Sequence, residues 1–407
     1  MLVYWIWYTQ LPNMTGREKM QLLERYSDPK TIYDLDVHTM EKEGQLPDKV
    51  VNALADKDLA EAKKIMAVCR RKDIGILPVS DSAYPRKLKN TSDAPLVLYY
   101  KGELPDFDAQ PLIGVVGTRK ATAYGMQVAR NMAREMADCG LLVVSGCAVG
   151  IDSAAMQGAL DAGSRVIGVL GCGIDVVYPK TARKLYMQTE QAGCLISEYA
   201  PGTKPNRWNF PRRNRIISGI SDGVLVVEAP EKSGALITAE CALEQGRDVF
   251  AVPGNIGVTA CAGSNDLLRD GAMVACSGWD VAREYELRYP GVIKPLSPRA
   301  ETAQIAAQRP AIPAPSQTEQ NKKSIDNPAM PLYSKTSETD MSPDEKAVFR
   351  HLGPEPMLVD DLVAEVDMPT ARVLTTLTML TMRNIVVNHP GRRVSIRRNL
   401  MSGGNER

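Results

Sequence analysis

Leu112-Ile113-Gly114-Val115-Val116-Gly117-Thr118-Arg119-Lys120 opens the part of the chain whose reading decides the fold. A short uncharged apolar run stops at a glycine, and a helix-length stretch, Tyr124–Asp138, follows. The same texture recurs at Leu141–Val144, Val166–Leu170, Cys194–Ile196, Val224–Val227, Val249–Val252 and Met273–Ala275. Between these runs lie the helix-length segments Ile151–Asp161, Ala182–Gln191, Asn214–Ile220 and Ala235–Gln245. Strand-then-helix alternation with near-continuous apolar strands predicts an α/β fold: an extended Rossmann-like parallel sheet with helices on both faces. Such sheets take ligands beyond the carboxyl ends of their strands.

Outward from that block the texture changes twice. Residues 1–102 carry helical periodicity, clearest in Arg17–Tyr26 and Leu59–Cys69, and are expected to form a small N-terminal helical module ahead of a 103–290 sheet domain. Residues 291–341 are rich in proline, alanine, serine and glutamine and are expected to be a linker. Within 342–407, three helical stretches (Glu345–Leu352, Leu358–Val363, Thr370–Met382) precede two short strands, Ile385–Val387 and Val394–Ile396, around Pro390-Gly391. That is the winged-helix pattern. Its wing carries Arg392, Arg393, Arg397 and Arg398, but its third helix offers only Arg372 and Arg383, which is weak support for reading duplex bases.

Charge is informative locally rather than globally. Lys+Arg 49 against Asp+Glu 48 gives a net charge of +1, so a nucleic-acid binder of this composition must concentrate its cations. Thr203–Ser221 does so: Lys204, Arg207, Arg212, Arg213 and Arg215 surround Trp208 and Phe210 without one acidic residue. Cations neutralise phosphates, and a ring stacks a base only if that base is unpaired. Single-stranded nucleic acid is the ligand this suggests; the plainer reading is that the rings anchor a loop and the arginines are solvated.

Small-residue turns close the strands of the sheet: Gly117-Thr118-Arg119, Ser145-Gly146-Cys147-Ala148-Val149-Gly150, Gly171-Cys172-Gly173 leading to Tyr178-Pro179-Lys180, and Ser233-Gly234-Ala235. Together they suggest a phosphate-binding rim, although packing alone explains any single turn. No G-x-G-x-x-G or G-x-x-x-x-G-K-[ST] run follows a strand, so the usual nucleotide cofactors are not expected. His38, His351 and His389 all lie outside the sheet domain, which leaves it without a histidine base, and no cluster suggests a metal. Asp152, Glu198, Glu228 and Glu240 remain as carboxylates near strand ends, with caps the commoner role. The eight cysteines form no C-x-x-C pair and read as buried hydrophobes of a reducing compartment. The apolar opening, Met1–Tyr8, is too short to span a bilayer, so a soluble, cytoplasmic protein is expected.

Taken together, Gly117-Thr118-Arg119 with Tyr124-Gly125, Ser145–Asp152, Phe210-Pro211-Arg212-Arg213-Asn214-Arg215-Ile216-Ile217 and Ser233–Thr238 followed by Val252-Pro253-Gly254 resemble the DNA-processing protein A (DprA/Smf) family. The resemblance covers most of the chain. It implies a non-catalytic homodimer that binds single-stranded DNA and helps load the RecA recombinase, as in natural transformation. It also implies a sterile-alpha-motif-like N-terminus and a winged-helix C-terminus. By position, Arg119, Lys180, Arg207 and Phe210 match cationic and aromatic DNA-contacting positions of the family. The expected DNA site adds Lys204, Arg212, Arg213 and Asn214, with Ser145, Gly146, Gly150, Ser233 and Gly234 as the turn residues beside the strand. Met156 stands where the family pattern has histidine, and Leu11–Gly16 lacks the glycine-rich turn of a helix-hairpin-helix. The competing reading is an enzyme on a nucleoside monophosphate, similar to phosphoribohydrolases of related fold, although their P-G-G-x-G-T run is missing after Pro253-Gly254.

Overall fold

The computed structural model describes residues 1–37, 46–295, 341–353, 355–383, 385–389 and 393–396. Most of the expected linker lies outside the described residues, as do Pro390, Gly391, Arg392, Arg397 and Arg398 of the expected wing. The chain divides into two units, Met1–Ile312 and Pro313–Arg407.

The first unit is built on one nine-stranded sheet. Its strands are β1 (Gly75–Pro78), β2 (Val97–Gly102), β3 (Leu112–Val116), β4 (Leu142–Ser145), β5 (Val166–Leu170), β6 (Cys194–Ser197), β7 (Gly223–Val226), β8 (Asp248–Ala251) and β9 (Met273–Val274). They lie in the order β1-β2-β6-β5-β4-β3-β7-β8-β9. From β6 to β9 every neighbour is parallel, because each connection crosses over through a helix. The apolar runs are strands buried throughout: every residue of β3, β4, β5, β6 and β7 is inaccessible to solvent or nearly so. Two strands come from the stretch expected to belong to the helical module, since β1 and β2 add an antiparallel margin beside β6. Pro78 ends the outermost of them, where a missing amide costs no ladder bond.

The N-terminal helices Leu2–Gln10, Gly16–Tyr26, Pro29–Asp34, Asp48–Ala55 and Ala60–Arg71 share one continuous apolar core with the sheet. The apolar opening of the chain is the first of these helices, with Trp5, Ile6, Trp7 and Tyr8 buried. A capping box at Thr15 and Glu18 starts the second. Among the described residues no helix is long and apolar enough to cross a membrane.

Asp222, just before β7, ties the lower edge of the sheet. Its buried carboxylate accepts from the Leu112 amide (3.0 Å), the Lys87 ammonium (2.6 Å) and the Tyr289 hydroxyl (2.9 Å), with Arg288 3.2 Å away.

The second unit has helices Pro343–Arg350, Val359–Glu365 and Thr370–Met382 and a three-stranded antiparallel sheet of β10 (Met357–Leu358), β12 (Arg393–Ile396) and β11 (Val386–His389), in that order. Val348, Leu362, Val373, Leu380 and Ile396 fill its own core. This is a winged helix, with a short strand β10 that the sequence reading folded into the second helix. Arg372 pairs with Asp344 at 2.7 Å and Arg383 with Glu345 at 2.8 Å, so both arginines of the third helix are engaged by the first.

Candidate nucleic-acid interface

The chain leaves β3 toward β4 on one side and reaches β7 on the other, so the strand order reverses between β3 and β7. Such switch points open a crevice beyond the carboxyl ends of the strands. Here the crevice is a cleft of about 490 Å³ lined by Gly117–Arg119, Ala148, Asp152, Tyr178, Arg207, Phe210, Arg213, Asn214 and Lys232–Ala235. A recess beside it adds Gly146, Val149 and Pro179.

Close backbone approaches hold its floor. Thr118 donates its amide to the Glu228 carbonyl at 2.7 Å, and Ile151 donates to the Thr118 carbonyl at 3.3 Å. Gly150 has φ +89°, and a Cβ there would stand 2.3 Å from the Thr118 carbonyl oxygen. Only glycine satisfies both the dihedral and the contact. Glu228 is buried and accepts from the Thr122 amide (3.0 Å) and hydroxyl (2.6 Å), while Thr122 caps the helix Ala123–Asp138 through the Gly125 amide. That carboxylate therefore fastens the β7 loop to the first crossover helix.

The basic segment is helical from Asn209, five residues earlier than the sequence reading placed the helix, which runs to Ile220. At about 100° per residue, its arginines then point different ways. Arg213 turns inward: it is 4% exposed and donates to the Gly146 carbonyl at 2.9 Å and to the Val169 carbonyl. Burial holds its guanidinium below the ordinary range against the pull of Asp152, and burial likewise pushes the Asp152 carboxyl up against the pull of Arg213. Asp152 also accepts the Gly146 amide at 3.1 Å. Arg215 faces Glu198 (2.6 Å) and Asp93 (2.9 Å). Arg212 is exposed but lies beside Glu198 at 3.8 Å, lining clefts shared with Thr15, Gly16 and Asp93 of the N-terminal side. Asn214 is nine-tenths buried and donates to the Gly234 carbonyl at 3.0 Å.

Several of the expected site residues also have structural partners in this chain. Arg213 and Asn214 brace the cleft wall, Arg212 faces away from it, and Ser145 is fully buried with its hydroxyl donating to the Val115 carbonyl at 2.7 Å. Gly146 has its amide occupied by Asp152, and Gly150 serves a close contact between loops. Ser233 caps the helix Gly234–Glu244 by accepting the Ala235 amide at 3.3 Å, and Gly234 faces open space at its first turn. Met156 is fully buried against Cys147, sulfur to sulfur at 3.6 Å, so position 156 belongs to the core here.

Five of the cations near this edge stay exposed. Arg119, Lys180, Lys204, Arg207 and Lys232 stand on loops that follow β3, β5, β6 and β7, all exposed and none in an ion pair among the described residues. Of these, Arg119, Arg207 and Lys232 line the cleft itself, with Lys180 and Lys204 on adjoining loop positions. The Arg119 guanidinium carbon sits 5.2 Å from the centre of the Phe210 ring, and Tyr178 packs 5.4 Å from it on a tilted plane. Tyr178 and Lys232 were not among the expected contacts. The Tyr178-Pro179-Lys180 turn was visible in sequence, but nothing there reveals that its ring meets Phe210. An edge offering cations and rings without a glycine fingerprint can hold phosphates electrostatically and bases by their faces.

Fold and cleft define a doubly wound α/β protein with a cationic, ring-bearing switch-point crevice and a winged-helix unit. Residues 75–286 match the family model of DNA recombination-mediator protein A, and residues 333–392 match the DprA winged helix domain. The chain belongs to the DNA recombination-mediator protein A (DprA/Smf) family. It is 42% identical over 221 residues to the DNA processing protein DprA of Bacillus subtilis, covering 54% of this chain and 74% of that protein. Protein Smf of Synechocystis is 35% identical over 334 residues, 80% of each chain. The X-ray structure of DNA processing protein A from Streptococcus pneumoniae aligns with a TM-score of 0.62 at 34% identity, covering 70% of this chain and 98% of that one.

Proposed function

We propose that this chain is a non-catalytic recombination mediator that grips single-stranded DNA at the carboxyl edge of its sheet, shields it and helps load a RecA recombinase onto it. One observation carries the reading: Arg119, Arg207 and Lys232, in no ion pair among the described residues, line one cleft with the Phe210 and Tyr178 rings. Arg119, Lys180, Lys204, Arg207 and Lys232 would neutralise phosphates, and the Gly234 amide at the exposed helix start would add a backbone donor. Membership of the family supports the mediator role and is the ground for proposing a RecA partner, a homodimer and a cytoplasmic setting. Arg213, Asn214, Ser145 and Gly150 support the site from within.

A phosphoribohydrolase-like reaction needs a carboxylate free to face a ribose. Asp152, which lines the cleft, instead accepts the Gly146 amide in a buried turn. Glu198 is held by Arg215 and Glu228 by Thr122. The test is a titration of labelled single- and double-stranded oligonucleotides against the intact protein, with nucleoside monophosphates incubated in parallel. Preference for the single strand without release of free base is the expected result; release of base would overturn the non-catalytic reading.

A further inference from the structure

Asp175, on the loop after β5, joins three parts of the molecule. Its carboxylate pairs at 2.5 Å with the Lys72 ammonium, just past the helix Ala60–Arg71, and accepts the Gly202 amide at 2.6 Å. Gly173 of the same loop donates to the Thr203 carbonyl at 2.9 Å. The end of an N-terminal helix is thereby held against the turn that leads to Lys204. That helix end presents Arg70 and Arg71, both exposed and in no ion pair among the described residues. Asp73 is an exposed acid beside them, while Lys72 already neutralises Asp175. Cations in a last helical turn suit the helix dipole, so their position alone says little. The charge on the two sides of the cleft says more. From Ser233 to Leu268, on the β7–β9 side, Glu240, Glu244 and Asp266 are acidic, and the only cation, Arg247, donates to the Lys87 and Gly219 carbonyls at the opposite edge of the sheet. Toward β6, Arg207 lines the cleft, Lys204 is exposed on the same loop, and Arg70 and Arg71 stand beyond the Asp175 junction.

We propose that Arg70 and Arg71 form a second phosphate-contact station for single-stranded DNA, reached by a strand that leaves the cleft over Arg207 and Lys204 and passes the Asp175 junction onto the N-terminal helices. The inference rests on the reading of the cleft as a single-stranded-DNA site, and it lengthens that site. A polyanion follows continuous positive charge, and each guanidinium that meets a phosphate releases counterions and deepens the salt dependence. Because these contacts go to phosphate, the station extends the footprint without adding a base preference.

The test compares wild type, Arg70→Gln/Arg71→Gln, a control Lys63→Gln/Lys64→Gln and Arg119→Gln on labelled oligodeoxythymidines of two lengths: about six nucleotides, which the cleft edge accommodates, and about twenty, which run past it. Lys63 and Lys64 carry the same charge two turns earlier on the same helix. Arg70→Gln/Arg71→Gln should flatten the salt slope on the long strand by about 1.4, the share of two phosphates, and weaken binding there roughly 25-fold at about 0.1 M salt. On the short strand it should match wild type. The control should match wild type on both strands, and Arg119→Gln should weaken both. Arg70→Lys/Arg71→Lys, which keeps the charge, should retain the wild-type slope. An unchanged long-strand slope in the glutamine variant overturns the inference and leaves the two arginines to a solvated helix end. Equal flattening by the control, an equal loss on the short strand, or a flattened slope in the lysine variant overturns it too. In these cases a weakened Arg119→Gln leaves the cleft reading standing. If wild type binds neither strand, or Arg119→Gln changes neither, the cleft reading falls and the inference with it.

Discussion

Replacing Arg119 with glutamine tests the electrostatic core of the site. Arg119 is exposed, makes no ion pair among the described residues and lies over the Phe210 ring, so its loss should leave the fold intact. On single strands the logarithm of the binding constant falls with log salt by about 0.7 per neutralised phosphate. Five exposed cations in no ion pair among the described residues, Arg119, Lys180, Lys204, Arg207 and Lys232, give an expected slope of about −3.5 for wild type if each meets one phosphate. Arg119→Gln should flatten it to about −2.8, with an unchanged melting temperature. Fluorescence anisotropy of a labelled oligodeoxythymidine between about 50 and 200 mM salt resolves a change of that size. Arg212→Gln is the internal control, because that side chain faces Glu198 and the N-terminal side rather than the cleft. Equal slopes for wild type and Arg119→Gln, or equal flattening by Arg212→Gln, would refute the assignment of phosphate contacts to this edge.

Other consequences follow from the buried groups. Asp222→Ala leaves Lys87 and Tyr289 without their shared carboxylate and should cost about 3–5 kcal/mol in a urea unfolding experiment. Gly150→Ala forces a side chain into a positive-φ position against the Thr118 carbonyl; a loss of about 1–3 kcal/mol, with weakened DNA binding from the displaced Arg119 loop, is expected by denaturation and anisotropy. Burial, with a smaller contribution from Arg212, lowers the Lys19 ammonium from the ordinary 10.5 to about 8. Because the folded value lies below the unfolded one, the penalty is fully present below about pH 8 and vanishes above 10.5. Stability of wild type relative to Lys19→Met should therefore rise across that window, and a flat difference would contradict it. In the winged-helix unit, Arg372→Gln should leave duplex binding unchanged in a gel-shift assay, since Asp344 already holds that arginine.

Much of the fold was legible because buried parallel strands leave an unmistakable trace: runs such as Leu112–Val116 and Val166–Leu170 carry no polar face. The edge strands β1 and β2 were harder to read. Gly75–Pro78 is short and ends in proline, and it pairs with Val97–Tyr100 across an intervening helix. In the site, Arg119 and Arg207 were readable as cations at strand-end loops, and both line the cleft. Arg212, Arg213 and Asn214 looked equivalent to them because a linear run of charges says nothing about direction until the helix start is known.

Sequence by itself determined the strand–helix alternation, the winged-helix pattern and the acid-free basic segment between Glu198 and Asp222, since these depend on residue type and spacing along the chain. Tertiary structure decided which cations are free. Starting the helix at Asn209 rotates Arg213 into the wall against Gly146 and sends Arg215 to Glu198, while Arg119 arrives over Phe210 from a strand some ninety residues earlier in the chain. A charge can meet a phosphate only if folding leaves it both unburied and unpaired, and that is settled by neighbours distant in sequence.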